Sequence, residues 1–458
     1  MSSIESDVIN RLMKINRFIT LPKTEKASKT DDFNNITKFF IDKLKNYDPA
    51  FNKLYKGHRL AGSYADKLKI GEADEFDLII KLKIDSAYDI EVTEDPDFPG
   101  YCNINLKDMM LKLKEKCEKE EAKIWYYKHF ESLIDENSYL IQDKVHEWIE
   151  RLMANILYED LKDGELKINE NTIYSIKYST SGPAHTINLI RTDRKLISID
   201  LVPAFIFDET KWVVERNLPS TLANIIPKED LYWIALPKPI KGKPKPNKSF
   251  LTSFVDIERH LISDRNNLKN TLKMLKKLRD RKKLDYLKSY FIKTVYLWEN
   301  DIQDRKFWDQ SSFEVLKHMI LKIIEHLKNK NLPYFWHKEQ NMFGNLSEDD
   351  IKHMLSELNE AYDILINQPN EIFNLFLTYA EQLKLEEDLA NFNCNAIQLN
   401  SNPIVIENTN NEPLASSSEE NRSHSHIPLC SFDTPNGFLL LNPFTIFTKP
   451  YALLPRRF

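Results

Sequence analysis

Glu75-Phe76-Asp77-Leu78-Ile79-Ile80-Lys81-Leu82-Lys83-Ile84 is an apolar run that begins with two acids. Side chains of a strand alternate between its faces, so Glu75 and Asp77 should share one face with their Cα atoms about 7 Å apart. Carboxylates this close at the end of a buried strand repel each other unless a multivalent cation lies between them. The run therefore predicts a strand whose first residues bind divalent metal ions.

A small turn precedes this strand. Eleven residues separate Gly62-Ser63 from Glu75. The backbone N–H groups of the turn and the Ser63 hydroxyl can bind triphosphate oxygens. Divalent ions on Glu75 and Asp77 would bridge to the same phosphates. A phosphate-binding turn beside paired acids is the combination that a metal-dependent nucleotidyl transferase needs.

A third acid, Asp200, lies in a second apolar run, Leu196–Pro203. This run also predicts a strand, and it ends at a proline, which is unsuited to a central strand. A lone acid on a buried strand is costly unless it is paired or metal-bound. Each acid taken alone is more simply interpreted as a solvent-facing residue at a strand edge. Together with Gly62-Ser63, the three acids favour a two-metal site.

Several short blocks follow one another along about the first 365 residues. They are Gly62-Ser63-Tyr64, Glu75-Phe76-Asp77, Ile197-Ser198-Ile199-Asp200, Ser253-Phe254, Ile257-Glu258, Leu272-Lys273-Met274-Leu275-Lys276 and Ser289-Tyr290-Phe291-Ile292-Lys293-Thr294. In order and spacing these blocks resemble the signature of cyclic GMP-AMP synthase and the animal cGAS-like receptors.

The resemblance implies an α+β, bilobal nucleotidyltransferase of the polymerase-beta-like fold. A mixed β-sheet catalytic lobe with N-terminal spine helices would be joined to an α-helical C-terminal lobe. We place the spine helices in residues 1–58, the catalytic core in 59–248 and the helical lobe in 249–390. Residues 391–458 are rich in Asn, Ser and Glu and are predicted to be disordered. Helices of the second lobe are predicted at 250–263, 266–282, 284–299, 312–328 and 347–366.

The resemblance also implies roles for individual residues. Glu75, Asp77 and Asp200 would be the catalytic acids that hold two Mg²⁺ or Mn²⁺ ions. ATP would contact Ser63, Glu75, Asp77, Glu258, Lys276, Ser289, Tyr290 and Lys293, and GTP would contact Asp200 and Glu258. In this assignment the lysines lie near the phosphates, Tyr290 stacks on a base and Glu258 binds a nucleobase or ribose. Taken alone, each lysine would more often belong to a solvated helix face, and Tyr290 to the core.

Two departures from the family pattern bear on substrate and metal. Relatives usually carry an arginine two positions before Ser253 that contacts the acceptor base, whereas this chain has Leu251, which leaves guanine selection and product linkage open. Vertebrate cyclic GMP-AMP synthase inserts a His/Cys zinc ribbon after the block that contains Glu258. The corresponding stretch here, His260–Asn267, has no cysteine, so we expect no zinc.

The insect-type relatives without the ribbon include receptors for double-stranded RNA. Residues 238–283, the basic stretch, contain fifteen Lys or Arg against four Asp or Glu. Such a stretch can contact phosphates without reading bases, which suits an A-form duplex, although a solvated helix face is the alternative. The predicted nucleic-acid contacts are Lys241, Lys243, Lys245, Lys273, Lys277, Arg281 and Lys282.

Composition gives the cellular context. The net charge of −5 shows no global sign of nucleic-acid binding. Four scattered cysteines favour a reducing compartment. The N-terminus lacks a signal-peptide pattern, and no apolar run reaches membrane-spanning length. We therefore expect a cytoplasmic protein without membrane contact.

Together with the paired acids, the resemblance implies an enzyme that makes a cyclic dinucleotide of the cyclic GMP-AMP type from ATP and GTP. Double-stranded RNA would activate it in innate immunity, and an activator-induced dimer is a further expectation. Two alternatives remain open: a catalytically silent relative that acts as a binding or developmental protein, and a template-independent RNA nucleotidyltransferase. The intact acids argue against the first, and the two-helix N-terminal block fits the second poorly.

Overall fold

The computed structural model describes residues 3–400, except for residues 73, 120–123, 162–163, 170–171, 192–195, 215, 217–225, 241–246 and 264. The chain divides after Leu377 into two units. The described part of the second unit contains one long helix, Tyr379–Asn400. The predicted tail boundary at residue 391 falls inside this helix, and residues 401–458 lie outside the described residues. All further elements belong to the first unit.

The chain begins with three helices, α1 (Ser3–Ile19), α2 (Lys23–Tyr47) and α3 (Pro49–Leu54). The apolar residues Val8, Leu12, Ile15 and Ile19 of α1 recur at helical spacing and are buried. The Asp48 carboxylate caps α3 by accepting hydrogen bonds from the backbone N–H groups of Ala50 and Phe51, so α2 and α3 are separate helices.

The described strands β1 to β10 form one mixed sheet. Its main order is β3-β4-β10-β9-β8-β7-β6-β5, with β2 paired to β8 and β1 to β2. The β2–β8 pair is parallel, whereas the other described pairs of this sheet are antiparallel. The strands are β1 (Tyr55–Ala61), β2 (Glu75–Leu82), β3 (Glu91–Glu94), β4 (Tyr101–Asn105), β5 (Glu165–Asn169), β6 (Thr172–Ser181), β7 (Ala184–Arg191), β8 (Leu196–Asp208), β9 (Tyr232–Leu236) and β10 (Phe250–Ser253).

Strand β8 continues through Pro203, although a proline was expected to end it. One edge of β8 pairs with β2 over residues 198–205, and the other pairs first with β7 over 196–201 and then with β9 over 205–208. Pro203 falls in the interval between β7 and β9. A residue without an N–H group is tolerated there because that edge of β8 has no ladder partner at this point.

Helices cover the sheet and connect its strands. A short helix, α4 (Gly62–Ala65), follows β1. Between β4 and β5 the chain forms α5 (Lys107–Lys119), α6 (Ile124–Leu133) and α7 (Gln142–Asn155), and α7 ends in one π-helical turn, Ile156–Asp160. Trp148 of α7 is fully buried, and its indole N–H donates to Asp48 at 2.6 Å, whereas Trp125 of α6 is exposed.

The second lobe is helical, with a two-stranded hairpin. Its elements are α8 (Val255–Leu261), α9 (Asn266–Arg281), α10 (Ser289–Ile302), α11 (Arg305–Trp308), α12 (Ser312–Lys328), β11 (Pro333–Tyr334), β12 (His337–Asn341), α13 (Glu348–Asn367) and α14 (Ile372–Phe376), and the helix of the second unit is α15. Helix α1 packs against α9, α12 and α14, so it contacts this lobe.

The prediction of a helix over 250–263 was wrong at its start. Residues 250–253 form β10, which pairs with β9 and β4 and is buried along its whole length. A strand buried on both faces has no alternation to distinguish it from a buried helix. The expected mixed sheet followed by a helical lobe is confirmed. Within the described residues no helix combines the length and the apolar character needed to span a bilayer.

Candidate active site

The turn after β1 is fixed beside β2 by backbone and aromatic contacts. Ala61, the last residue of β1, is the register partner of Asp77 on β2. Gly62 then takes a φ of 73°, a left-handed conformation that favours glycine. The Tyr64 and Phe76 ring centroids are 4.8 Å apart, and Phe76 stacks in turn on Phe33 of α2. The sequence therefore places Ser63 at the start of the acid-bearing strand.

Strand pairing brings the three predicted acids together. In the parallel β2–β8 pair, Asp77 is the register partner of Asp200, and Glu75 is the partner of Ser198. Adjacent strands lie about 4.8 Å apart, and register partners point to the same face. Glu75 and Asp77 share that face because they are two residues apart.

The surroundings of Asp77 and Asp200 disfavour the charged form of both carboxyl groups. Burial raises the pKa of Asp77 well above its ordinary value, and Asp200 and Glu75 raise it further by repulsion. Burial also raises the pKa of Asp200; a hydrogen bond from Thr186 opposes this shift, and repulsion by Glu75 adds to it. The strand pair therefore concentrates carboxylates that a nearby cation would stabilise.

Two polar side chains already contact these acids. The Thr186 hydroxyl on β7 donates to Oδ1 of Asp200 at 2.6 Å. The Lys69 ammonium lies 3.1 Å from Oε2 of Glu75 and 3.0 Å from Oδ1 of Asp74. Although burial disfavours its charge, Glu75 and Asp74 raise the pKa of Lys69 above its ordinary value. Lys69 therefore supplies positive charge at Glu75.

The chemistry of the donor set fits a hard divalent cation. Three carboxylates on two adjacent strands offer oxygen ligands, and the raised pKa values of two of them reflect uncompensated negative charge. Across the described part of the chain, however, no group of three or more His, Cys, Asp or Glu side chains is arranged to hold a metal ion. Ion binding by Glu75, Asp77 and Asp200 would thus require rearrangement of their side chains.

A cavity of about 330 Å³ opens beside the acids. Of the three acids, Glu75 lines this cavity. A smaller cavity lies next to it, and both cavities are lined by Ser63, Lys276, Ser289 and Tyr290. The lining is mostly polar and rich in cations: Ser63, Lys69, Ile70, Glu75, Lys276, Arg279, Asp280, Asp285, Lys288, Ser289 and Tyr290. Four predicted ATP contacts besides Glu75 therefore meet at one opening, which could hold phosphates.

Among the cations that line the cavity, Lys276 has the pKa that burial lowers most clearly. Burial lowers its pKa to about 7, and the neighbouring Arg279 and Lys69 act in the same direction. Its ammonium donates to the carbonyl of Leu68 at 2.9 Å, in the loop between α4 and β2. A lysine poised to lose its proton at neutral pH would gain charge stabilisation from a bound phosphate.

Glu258 and Lys293 occupy a different environment from the one predicted. Glu258 is buried, accepts a hydrogen bond from the Tyr290 hydroxyl at 2.6 Å, and lies 3.0 Å from the Lys293 ammonium. Lys293 also contacts Asp66 at 2.8 Å. Neither Glu258 nor Lys293 lines the 330 Å³ cavity, although Lys293 borders the smaller one. In this structure Glu258 binds protein groups rather than facing the opening.

The predicted nucleic-acid contacts fall into three groups. Lys241, Lys243 and Lys245 lie outside the described residues. The prediction for Lys273 is corrected, because its side chain is buried and its ammonium donates to Thr20 at 2.5 Å. Lys282 pairs with Glu357 at 3.0 Å and Glu360 at 2.9 Å. Lys277 is half-buried and Arg281 is exposed, both on α9.

The sequence did not identify several polar residues of the site, among them Thr186 and three cations of the cavity. Thr186 contacts an acid from a neighbouring strand, and its place depends on a register that no local pattern gives. Lys69, Arg279 and Lys288 line the cavity, and each belongs to a lysine- or arginine-rich segment in which single members look alike. The short distance of Lys69 from Gly62-Ser63 was the one available signal.

Comparison with known proteins agrees with this geometry. Residues 64–264 match the model of the Mab-21 protein nucleotidyltransferase domain, and residues 267–360 match that of the Mab-21 protein HhH/H2TH-like domain. A cyclic GMP-AMP synthase-like receptor of Aethina tumida is 32% identical over 385 residues, 82% of this chain and 93% of the relative.

Two further relatives carry related names. A cyclic GMP-AMP synthase-like receptor of Lucilia cuprina is 27% identical over 81% of this chain and 95% of its own length. Cyclic GMP-AMP synthase-like receptor 1 of Drosophila melanogaster is 33% identical over 65% of this chain and 76% of its own length. The chain therefore belongs to the Mab-21 nucleotidyltransferase family, among the cyclic GMP-AMP synthase-like receptors.

Proposed function

We propose that this nucleotidyltransferase joins ATP and GTP into a cyclic dinucleotide of the cyclic GMP-AMP type, with Mg²⁺ or Mn²⁺ as cofactor. Double-stranded RNA would be its activator, and the setting would be innate immunity in the cytoplasm. The observation that carries the catalytic part is the parallel pairing that sets Asp77 beside Asp200, next to the Gly62-Ser63 turn. The names of the relatives support the product class.

The acids, the Ser63 turn and Lys276 would have separate roles in the reaction. Glu75, Asp77 and Asp200 would hold the divalent ions, which neutralise the triphosphate and lower the pKa of the acceptor hydroxyl when bound. Ser63 lines both cavities and would hold a phosphate oxygen by its hydroxyl. Lys276, which lines both cavities as well, would offset phosphate charge.

The remaining lining residues would orient the donor. Arg279 donates to the Ser289 hydroxyl, so these two side chains are held together at one side of the opening. The Tyr290 ring borders the cavity while its hydroxyl is fixed by Glu258. A ring fixed in this way can present a face to a base with little loss of entropy. Positioning and charge neutralisation are the main protein contributions to phosphoryl-type transfer.

The proposal of an RNA activator rests on charge. The described cations of the basic stretch that are not buried include Lys277 and Arg281, one turn apart on α9. Contacts of this kind bind backbone phosphates and suit recognition of duplex shape.

The decisive experiment incubates purified protein with ATP, GTP and Mn²⁺, with and without double-stranded RNA. A phosphatase-resistant dinucleotide whose yield rises with RNA is expected. Extension of RNA 3′ ends without a dinucleotide would favour the template-independent RNA nucleotidyltransferase. No turnover with any duplex would favour a catalytically silent relative, so both results would contradict the proposal.

A further inference from the structure

A chain of alternating charges runs through the interior behind the cavity. Seven side chains from several elements contact one another in the order Asp230, Arg59, Asp256, Arg259, Asp66, Lys293 and Glu258. Each cation lies between two carboxylates. Buried ionic groups arranged in this way favour one particular geometry over others, because any displacement leaves a charge without its partner.

The last three members of this chain are the most enclosed. Asp66, Lys293 and Glu258 are 2%, 5% and 1% exposed. Lys293 Nζ lies 2.8 Å from Oδ2 of Asp66 and 3.0 Å from Oε2 of Glu258. Burial alone would lower the pKa of Lys293, but the two carboxylates raise it above its ordinary value, so the side chain is charged.

Each end of this triad is attached to a wall of the cavity. Asp66 follows α4 directly, three residues after Ser63, and its backbone N–H donates to the carbonyl of Gly62 at 3.0 Å. At the other end, Glu258 accepts the Tyr290 hydroxyl at 2.6 Å. Ser63 and Tyr290 both line the two cavities, so the triad connects the turn that carries Ser63 with Tyr290.

A third donor makes the Glu258 end rigid. The Trp336 indole N–H donates to the same carboxyl oxygen at 3.0 Å. Glu258 thus has partners on α10 and in the β11–β12 hairpin, while it stands on α8. Tyr290 and Lys293 lie three residues apart on α10, so the Glu258 carboxylate ties two side chains of this helix to α8 and to the hairpin.

We propose that Lys293 is a positioning residue of the nucleotide site, which sets the distance between the Ser63 turn and the Tyr290 ring through Asp66 and Glu258. This role rests on the proposed function of the cavity and differs from the direct phosphate contact expected from sequence. The triad fixes the phosphate end of the donor site relative to its base end. Direct contact would instead require Lys293 to leave two buried carboxylates.

The test measures nucleotide affinity and local exchange in the same variants. ATP affinity with MgCl₂ is determined by calorimetry, and hydrogen exchange is followed by mass spectrometry in the peptide that covers residues 62–68. The set is Lys293→Met, Asp66→Asn, the double variant Asp66→Asn/Lys293→Met, and Lys293→Arg. Lys322→Met is the matched control, because Lys322 also lies between two carboxylates, Glu299 and Glu325, but on α12.

Lys293→Met and Asp66→Asn should each weaken ATP binding about tenfold or more and speed exchange of the turn. The double variant should bind ATP as tightly as whichever of Lys293→Met and Asp66→Asn binds it less tightly. The two losses should not add, because each substitution removes the same contact between Lys293 and Asp66. Lys293→Arg should restore most of the affinity, and Lys322→Met should match the wild type in both measurements.

Other results would overturn the proposal. Weaker ATP binding in Lys293→Met with unchanged exchange and an unaffected Asp66→Asn would show a direct phosphate contact. Should Lys293→Met fail to fold, Asp66→Asn and Trp336→Phe decide the question: wild-type exchange and affinity in both would refute positioning. If the wild-type protein binds no ATP, the proposed function fails, whereas unchanged exchange in the variants refutes the triad alone.

Discussion

Thr186 on β7 donates its hydroxyl proton to Oδ1 of Asp200 on β8 at 2.6 Å. The two residues are register partners in an antiparallel pair, so the contact is imposed by the sheet. This hydrogen bond opposes the rise that burial causes in the pKa of Asp200. It also fixes the orientation of a carboxylate that we propose as a metal ligand.

Thr186→Val should therefore weaken metal binding without removing a ligand. We expect the Mn²⁺ concentration for half-maximal turnover to rise about 10- to 100-fold, as for other groups that orient metal ligands. Thr186→Ser keeps the hydroxyl and should stay close to the wild type. If Thr186→Val and the wild type reach half-maximal turnover at the same Mn²⁺ concentration, the hydrogen bond from Thr186 does not contribute to metal binding.

Asp77→Asn should abolish product formation and stabilise the metal-free protein. The folded-state pKa of Asp77 is raised, so the charged carboxylate costs stability at neutral pH, by about 1.4 kcal/mol per unit of elevation. This cost is absent well below the ordinary value of 3.8, grows as the pH rises from 3.8 to the raised pKa, and stays constant above the raised pKa. The melting temperature of the variant should exceed that of the wild type at about pH 7 and converge with it towards pH 3.8.

Added Mn²⁺ should reverse this order. The wild type should gain stability from the ion by mass action, and Asp77→Asn should gain little. Asp74→Asn, a change at a partly exposed neighbour of Glu75, serves as control and should keep the response to Mn²⁺. An active Asp77→Asn enzyme would show that the metal ligands have been assigned wrongly.

Lys276 should make ATP binding depend on pH. Its pKa of about 7 in the free protein means that it loses its proton as the pH rises above neutrality. Bound phosphate favours the protonated form, so ATP affinity should fall by up to about tenfold per pH unit between about pH 7 and about pH 9. Calorimetry in buffers of different ionisation enthalpy should detect proton uptake. Lys276→Arg should remove this slope; an unchanged slope would exclude Lys276 as its source.

Lys69→Met should separate metal affinity from nucleotide affinity. The ammonium competes with any divalent ion for Glu75, and this partly exposed pair accounts for about 1 kcal/mol at most. Mn²⁺ should thus bind the nucleotide-free variant up to about fivefold more tightly. ATP should bind it less tightly because the variant lacks one cation of the cavity. Weaker Mn²⁺ binding would instead mean that Lys69 orders Glu75 for the ion.

Charge reversal on α9 should weaken double-stranded RNA binding. Lys277→Glu with Arg281→Glu should lower the affinity and reduce the salt dependence, by a slope of about 1 for each phosphate that is no longer neutralised. Lys306→Glu with Lys328→Glu reverses two exposed charges outside the basic stretch and is the matched control. Equal losses of affinity in both variants would indicate a general effect of net charge. Lys282→Met should have a smaller effect, since Lys282 is already paired with Glu357 and Glu360.

The parts of this fold that the sequence predicts are those with strong local periodicity. The apolar residues of α1 recur at helical spacing and β2 is a continuous apolar run, so local spacing is enough to predict both elements. The three acids can be named because each lies in an apolar run of this kind. Their meeting depends on the parallel register of Asp77 with Asp200. That register is a long-range property, which resemblance to a family could suggest and local pattern could not.

Burial explains where the sequence prediction failed. Lys273 and Lys277 look equivalent in a basic segment, yet one is buried at 6% exposure and the other is not. They differ by four positions and lie near one another on α9, so only tertiary packing separates them. Glu258 and Lys293 likewise stand in blocks typical of nucleotide contacts, and no local pattern could show that Lys293 pairs with Asp66 or that the Trp336 indole donates to Glu258.

The interval at Pro203 divides the sheet into two branches that share only β2 and β8. One branch, β5 to β7, supports Thr186; the other, β9 and β10, leads into α8 and Glu258. Insertions in one branch would leave the hydrogen-bond ladder of the other intact, because among the described strands no pair crosses the interval. Evolution could therefore lengthen or shorten either branch of the sheet separately, while Asp77 and Asp200 remain register partners.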